Sequence, residues 1–217
     1  MSDHEEPPWV DPTDAMIEMA SGLILAVDGE VPGEIVRTVD PDGLRIAWVT
    51  RPDQLAEPKL AFLLEHWQDL AEACGGVPDR SDLDVLDLVP AIGNLMMLEA
   101  ERDGFDALYR VYGTGVAERA GRDWTGHRVS EMNRITRTPT ALLYRACYLA
   151  AYRRQAPLFS EHASARWLGV CTWRRLILPL ASPGARCSRF LVGNLPVGER
   201  VLSEQEIEEQ QRRIRRE

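Results

Sequence analysis

The chain is short of the residues that announce chemistry. Its 217 positions hold four cysteines and four histidines. Cys74, Cys147, Cys171 and Cys187 are widely separated and form no Cys-x-x-Cys pair. That argues against a zinc site or a disulfide framework, and for free thiols in a reducing compartment. Positive charge is also in deficit: 25 Lys and Arg against 34 Asp and Glu leave a net charge of −9. Phosphate contacts need a basic footprint, so nucleic acid is not the expected partner. Long hydrophobic runs are missing. The longest, near residues 22–27, falls far short of the ~20 residues that span a bilayer. The acidic start (Asp3, Glu5, Glu6) is the opposite of a secretory leader's basic one. These absences predict a soluble, cytoplasmic protein with no membrane and no nucleic-acid partner. No glycine-rich phosphate cradle is present either, because Gly113-Thr114-Gly115 is too short and no lysine follows.

What is there is an ordinary apolar content, enough for one domain with decoration. Residues 1–14 are polar with paired prolines and read as disordered. Residues 23–27, 34–39 and 44–49 read as strands. Asp40-Pro41-Asp42-Gly43 is a turn signal between the last two, so residues 15–57 are expected to form an N-terminal β-hairpin extension. Leu60, Leu63, Leu64, Trp67, Leu70 and Ala71 recur at helical spacing over residues 58–74, and Gly75-Gly76 ends that helix. His66 lies off this stripe, in a surface or packing role. Next, Ser81 is expected to cap a short helix. The acids Asp79, Asp82, Asp84 and Asp87 lack the central Gly and terminal Glu of a calcium loop, so capping explains them better.

The stretch 107–132 organises the rest. Leu108 to Tyr112 reads as a strand that pairs with residues 94–100 across an Arg102-Asp103-Gly104 turn. One turn of helix follows over 116–120, stopped by Gly121, and Trp124-Thr125-Gly126 breaks the chain before another short helix. Pro139 opens a long helix reaching about Gln155, with Arg145, Tyr152 and Arg153 on one side. Leu143, Cys147 and Ala150 make a small-grained inward face opposite, suited to close packing. Residues 157–167 and 170–180 read as strands. Pro179 marks a strand end or an edge, Ser182-Pro183-Gly184 a turn, and 187–195 the last strand. The order closes an α+β fold: a five-stranded antiparallel sheet with helices across one face. Residues 58–92 flank this core, which spans 93–198. Ser203 and Glu206 form a capping box for a final helix within 199–217. Ile207 and Ile214 are too sparse for a coiled coil, so this end reads as a solvated tail, with a linker or dimer contact as the alternative.

Arg80-Ser81-Asp82, Tyr109-Arg110, Gly113-Thr114, Gly121-Arg122-Asp123 and Thr125-Gly126 occur together in this order. In this combination the chain resembles, over about residues 62–197, the PAS-like domain family of short alphaproteobacterial proteins (the PAS_5 type). The resemblance implies a PAS fold, agreeing with the element order above. It also implies a role in sensing or protein–protein contact, and it carries over no catalytic residue.

Neither common cofactor of such a fold is expected. A flavin-adduct sensor of this fold would be expected to carry a cysteine motif near the short helices, and Asn133-Arg134-Ile135 has none. A haem sensor would be expected to place an axial His on the long helix. That helix offers only Tyr144, Cys147, Tyr148 and Tyr152, and a Cys there reads as a buried thiol. A hydrolase triad is not expected from Ser160-Glu161-His162, since neighbours on a strand face opposite ways. If a ligand binds, it belongs between the long helix and the sheet, with Arg110, Tyr148, His162 and Arg175 as contacts and an anion suiting the arginines. The expected function is a non-enzymatic sensory or regulatory module. Its partner is a signalling protein or a small molecule, with homodimerisation through the hairpin left open. The alternative is a small isomerase or dehydratase with a polar cavity, for which Asp123 with His127 is the one close carboxylate–His pair.

Overall fold

The computed structural model describes residues 9–182 and 185–215. The expected disorder of residues 1–14 lies outside them for 1–8, and from Asp14 the chain is helical. Thr13 caps α1 (Asp14–Leu25), its Oγ1 accepting from the Met16 N–H at 3.3 Å. Ile17, Ser21 and Ile24 are buried along it. Residues 23–27 therefore end a helix and are not a strand. Residues 34–39 likewise form α2 (Gly33–Val39), with Val36 and Val39 buried. Short apolar runs of five or six residues look alike in either state. The spacing 17, 21, 24 shows helix only when the reading extends back to the Thr13 cap.

The tetrapeptide at 40–43 does turn the chain, but from helix into β1 (Gly43–Trp48). Asp40 Oδ1 accepts from the Asp42 N–H at 3.2 Å, and Asp40 O from the Gly43 N–H at 2.9 Å. There is thus no N-terminal hairpin. β1 pairs instead with β4 (Leu158–Ala163), and the Trp48 indole N–H ties it to Ile24 O on α1 at 3.0 Å.

The α+β antiparallel architecture is as expected, with six strands rather than five. The other strands are β2 (Leu95–Ala100), β3 (Ala107–Tyr112), β5 (Val170–Ser182) and β6 (Ala185–Glu199), and the order is β1-β4-β5-β6-β2-β3. The β2–β3 hairpin forms as its turn signal indicates. Pro183 and Gly184 of the expected β5–β6 turn lie outside the described residues. Pro179 sits where β5 has outrun β4, whose pairing stops at Ile177, so it does meet a local edge. Both outer edges are covered in part. Trp48 N–H donates to Gly29 O at 2.8 Å beside β1, and Tyr109 N–H donates to His127 O at 3.0 Å beside β3.

Helices cover both faces, not one. On the outer face α3 (Pro58–Cys74) presses Leu60, Leu63, Leu64 and Trp67 onto Phe159, Leu176, Leu178 and Leu191. The Trp67 indole N–H donates to Pro179 O at 2.8 Å. On the inner face lie α4 (Thr114–Ala120), α5 (Val129–Thr136) and α6 (Ala141–Arg154). α1 packs over α6, so Ala146, Cys147, Ala150 and Ala151 are all fully buried and the side carrying Arg145 is covered too. Arg145 Nη1 donates to Pro12 O at 3.1 Å.

Between α3 and β2 the chain makes two 3-10 turns, Arg80–Asp82 and Val85–Ala91. Asp79 and Asp84 cap them, not Ser81. The final helix α7 (Glu204–Ile214) has the expected Ser203–Glu206 box, yet it is no solvated tail. Arg213 is 6% exposed and donates to Thr136 O at 3.0 Å, while Arg122 donates to Ile214 O at 3.0 Å. Gly121, at φ 80°, leaves room for Ile214.

Two outcomes follow from close contacts in this frame. A Cβ at Gly113 would lie 2.4 Å from Gly93 O and 2.6 Å from Leu95 O, both backbone. Gly113→Ala is expected to lose roughly 1–3 kcal/mol in urea denaturation, and an unchanged midpoint would refute the contact. Asp40 is buried, and burial lifts its carboxyl from 3.8 to about 6 despite the Asp42 N–H. Below 3.8 the group is protonated both folded and unfolded. Between the two values only the folded chain keeps the proton, so stability falls as pH rises through that window. Asp40→Asn should therefore stabilise the fold by roughly 1–3 kcal/mol above about pH 7, with the gain vanishing toward about pH 4. A pH-independent gain in the same unfolding series would contradict this.

Candidate functional site

β4, β5 and β6 place a row of polar side chains under α6. Ser160 pairs with Arg175 across β4–β5, and Arg175 with Asn194 across β5–β6. His162 is the next inward position on β4, because strand side chains alternate between faces. Exposure is 1% for Ser160, 0% for His162, 3% for Arg175 and 7% for Asn194. A guanidinium this deep ordinarily sits against a carboxylate. Among the described residues Arg175 has no ion-pair partner. It donates one hydrogen bond, from Nη2 to the Tyr148 hydroxyl at 2.6 Å, and its Nε has no partner. What surrounds it is aromatic: its guanidinium carbon lies 4.4 Å from the centre of the Tyr144 ring and 5.1 Å from that of Tyr148.

Three more atoms of the row lack partners among the described residues: Ser160 Oγ, His162 Nδ1 and Asn194 Oδ1. His162 Nε2 lies 3.0 Å from the Tyr144 hydroxyl. Burial, reinforced by the Arg175 charge, holds the imidazole pKa well below its ordinary value, so the ring is neutral near pH 7. Burial also raises Tyr109, Tyr112, Tyr144 and Tyr148, which keeps all four hydroxyls as proton donors. The Cys147 thiol is pushed by burial up to about 12 and is chemically inert.

Beside the row lies a cavity of about 60 Å³. Its aromatic walls come from Tyr109 and Tyr112 on β3, Trp124 between α4 and α5, Tyr144 on α6, Trp167, and Trp173 on β5. Met96, Met132, Leu168, Ala120 and Ala165 complete the apolar side, and Arg175 and Asn194 lie on the polar one. Thr136, Thr138 and Thr140, at the turn from α5 into α6, add hydroxyls. None of the lining residues is an acid. The walls are held from behind. The Trp173 indole N–H donates to Ser164 Oγ at 3.1 Å, and the Arg122 guanidinium stacks 4.5 Å from the centre of the Trp124 ring.

Of the four contacts expected from sequence, Arg175 lines the cavity, while Tyr148 and His162 lie in the polar row beside it and not in its wall. Arg110 does neither. It points away on β3 and forms an exposed ion pair with Glu99 at 2.6 Å. Tyr109 takes the inward position, so its neighbour Arg110 must face out. Ser160 and His162 share a face as expected, while Glu161 points to the other side and pairs with Arg174. The Asp123–His127 pair is not formed: Asp123 Oδ1 accepts from the Thr125 N–H at 2.8 Å, and His127 lies 3.7 Å from Glu131. Sequence reasoning missed Asn194 and the aromatic walls. Asn194 did leave a signal, as the polar member of the inward series Phe190, Val192, Asn194.

The PAS domain model matches residues 56–195, a span that holds every residue lining the cavity. No curated protein and no solved structure is similar enough to the chain to count as a match. The family match covers more than half of the 217 residues and agrees with the antiparallel sheet and its inner helices, so the chain belongs to the PAS domain family.

Proposed function

We propose that this protein is a non-enzymatic sensory or regulatory module that binds a small molecule between α6 and the sheet. The family supports the general role. The observation that carries the finer reading is that Arg175 Nε and Asn194 Oδ1, on the polar wall of the cavity, lack hydrogen-bond partners. Buried polar groups normally find a hydrogen-bond partner, and these two atoms, on adjacent strands of one cavity wall, have none among the described residues, which supports a bound guest. The cavity of about 60 Å³ is far below the ~300–1,000 Å³ of drug-sized sites, so haem and flavin do not belong to this proposal.

The isomerase or dehydratase alternative is disfavoured by the same walls. Such chemistry needs a base of suitable pKa against the substrate. Here the cavity has no acid, the arginine stays charged, and burial keeps the tyrosines protonated. No helix among the described residues is long and apolar enough to cross a membrane, and the cytoplasm is the proposed setting. A signalling protein, or a second copy in a homodimer, would receive the output.

Binding can be read by thermal unfolding and tryptophan fluorescence, since Trp124, Trp167 and Trp173 all line the cavity. A panel of small neutral, cationic and anionic compounds is expected to contain a saturable binder. At about 100 times its Kd it should add about 2.7 kcal/mol of stability, or a melting shift of roughly 5–10 °C for a chain of this size. Native mass spectrometry of protein from its own host should show the bound molecule. A panel without a binder, together with a bare chain mass, would remove the small-molecule reading and leave protein contact alone.

A further inference from the structure

We infer that the cavity is a receptor site for a short-chain monocarboxylate, its carboxylate on Arg175 and its alkyl end among Met96, Trp124 and Trp173. This rests on the small-molecule reading above and names the ligand's chemistry.

The sign of charge comes first. The whole chain is acidic, at −9, yet the cavity presents one cation and no anion. A buried charge is costly without a partner, and breaking a buried pair is costly because one member is left alone. Arg175 is in that state now, with tyrosine rings and one hydroxyl standing in for a counter-ion. An arriving anion removes the deficit.

The hydrogen-bonding pattern narrows the anion. The free Nε of Arg175 and the protonated hydroxyls of Tyr109 and Tyr112 are donors, and a carboxylate is acceptor-only on both oxygens. Its planar pair of oxygens fits the fork of a guanidinium. A phosphate monoester carries about −1.5 to −2 near pH 7, and a dicarboxylate carries two charges. One arginine balances neither.

Size and wall chemistry set the rest. At ~10–15 Å³ per water-sized occupant, the space holds roughly four to six non-hydrogen atoms. Acetate, propionate and butyrate span that range. The methionine and tryptophan walls offer an alkyl chain a dry contact that a bare inorganic anion cannot use.

The test uses sodium propionate against propionamide, propylamine and sodium chloride at constant ionic strength, read by tryptophan fluorescence and thermal unfolding of the full chain. Propionate is expected to bind saturably and at least ten-fold tighter than propionamide. Arg175→Gln is expected to weaken it at least ten-fold. Asn194→Asp sets a carboxylate opposite Arg175, so it should melt above the wild type without ligand and no longer bind propionate. That variant and the neutral isostere decide the matter if Arg175→Gln fails to fold. Equal binding of propionamide would overturn the carboxylate assignment and leave the small-molecule module standing. Chloride competing at matched concentration would reduce the site to an inorganic anion site and overturn it too. Propionate binding that ignores both variants would place it elsewhere and refute the site. No binding by propionate or by any member of the wider panel would sink both readings.

Discussion

β5 and β6 run through the middle of the sheet with side chains that avoid water on both faces. Leu176, Leu178 and Leu191 point one way, and Ile177, Phe190 and Val192 the other. Burying only one of these faces would leave the second exposed to solvent, so every other layer answers to this pair of strands. α3 closes the outer face with leucines. Gly193 brings that helix close, since a Cβ there would lie 2.7 Å from both Leu60 and Leu63. The inner face is closed by α4, α5 and α6, with α1 stacked behind α6. The alanines of α6 belong to this arrangement, because a helix between a sheet and another helix needs small side chains on several sides.

Against that dry background the polar row is a local exception, and it is costly. Ser160, Arg175 and Asn194 occupy adjacent strands at one level of the sheet, with His162 beyond Ser160 and apolar Trp173 and Ile177 on either side of Arg175 along β5. Burial withdraws the guanidinium from bulk solvent, and among the described residues it has no ion-pair partner. Tyr144 and Tyr148 soften the cost through ring faces and one hydroxyl, both supplied by the same stretch of α6. The helix that buries the arginine therefore also positions it. For stability alone an apolar row would pack at least as well.

The surroundings of the cavity tie it to the end of the chain. Trp124 and Trp167 form part of its wall. Arg122 stacks on Trp124 and also holds Ile214 O, and Arg213 lies over Trp167 and holds Thr136 O. α7 thus rests on the back of the site rather than trailing into solvent. Each outer edge of the sheet carries a short backbone pairing, Glu30 with Ala47 beside β1 and Leu108 with Arg128 beside β3.

Much of the frame was legible in the residues. The leucine stripe of α3, the β2–β3 hairpin, the Gly121 stop, the long α6 and the Ser203–Glu206 box each depend on neighbours within a few positions, and each formed. The alternation Ser160, Glu161, His162 alone told which of the three share a face. Local pattern failed where it was shortest: residues 23–27 and 34–39 are too brief to separate strand from helix, and the deciding Thr13 cap lies outside the window. It could not say that β1 would leave its neighbours in sequence to pair with β4, or that the outer face would find α3, since both are choices made across more than a hundred residues. The same limit governs the site. Sequence named Tyr148, His162 and Arg175 as polar groups on inward faces. Only the tertiary register set Asn194 beside Arg175, turned Arg110 to solvent, and left a buried cation among aromatic rings without a carboxylate, because which charges meet depends on strand pairing and not on spacing along the chain.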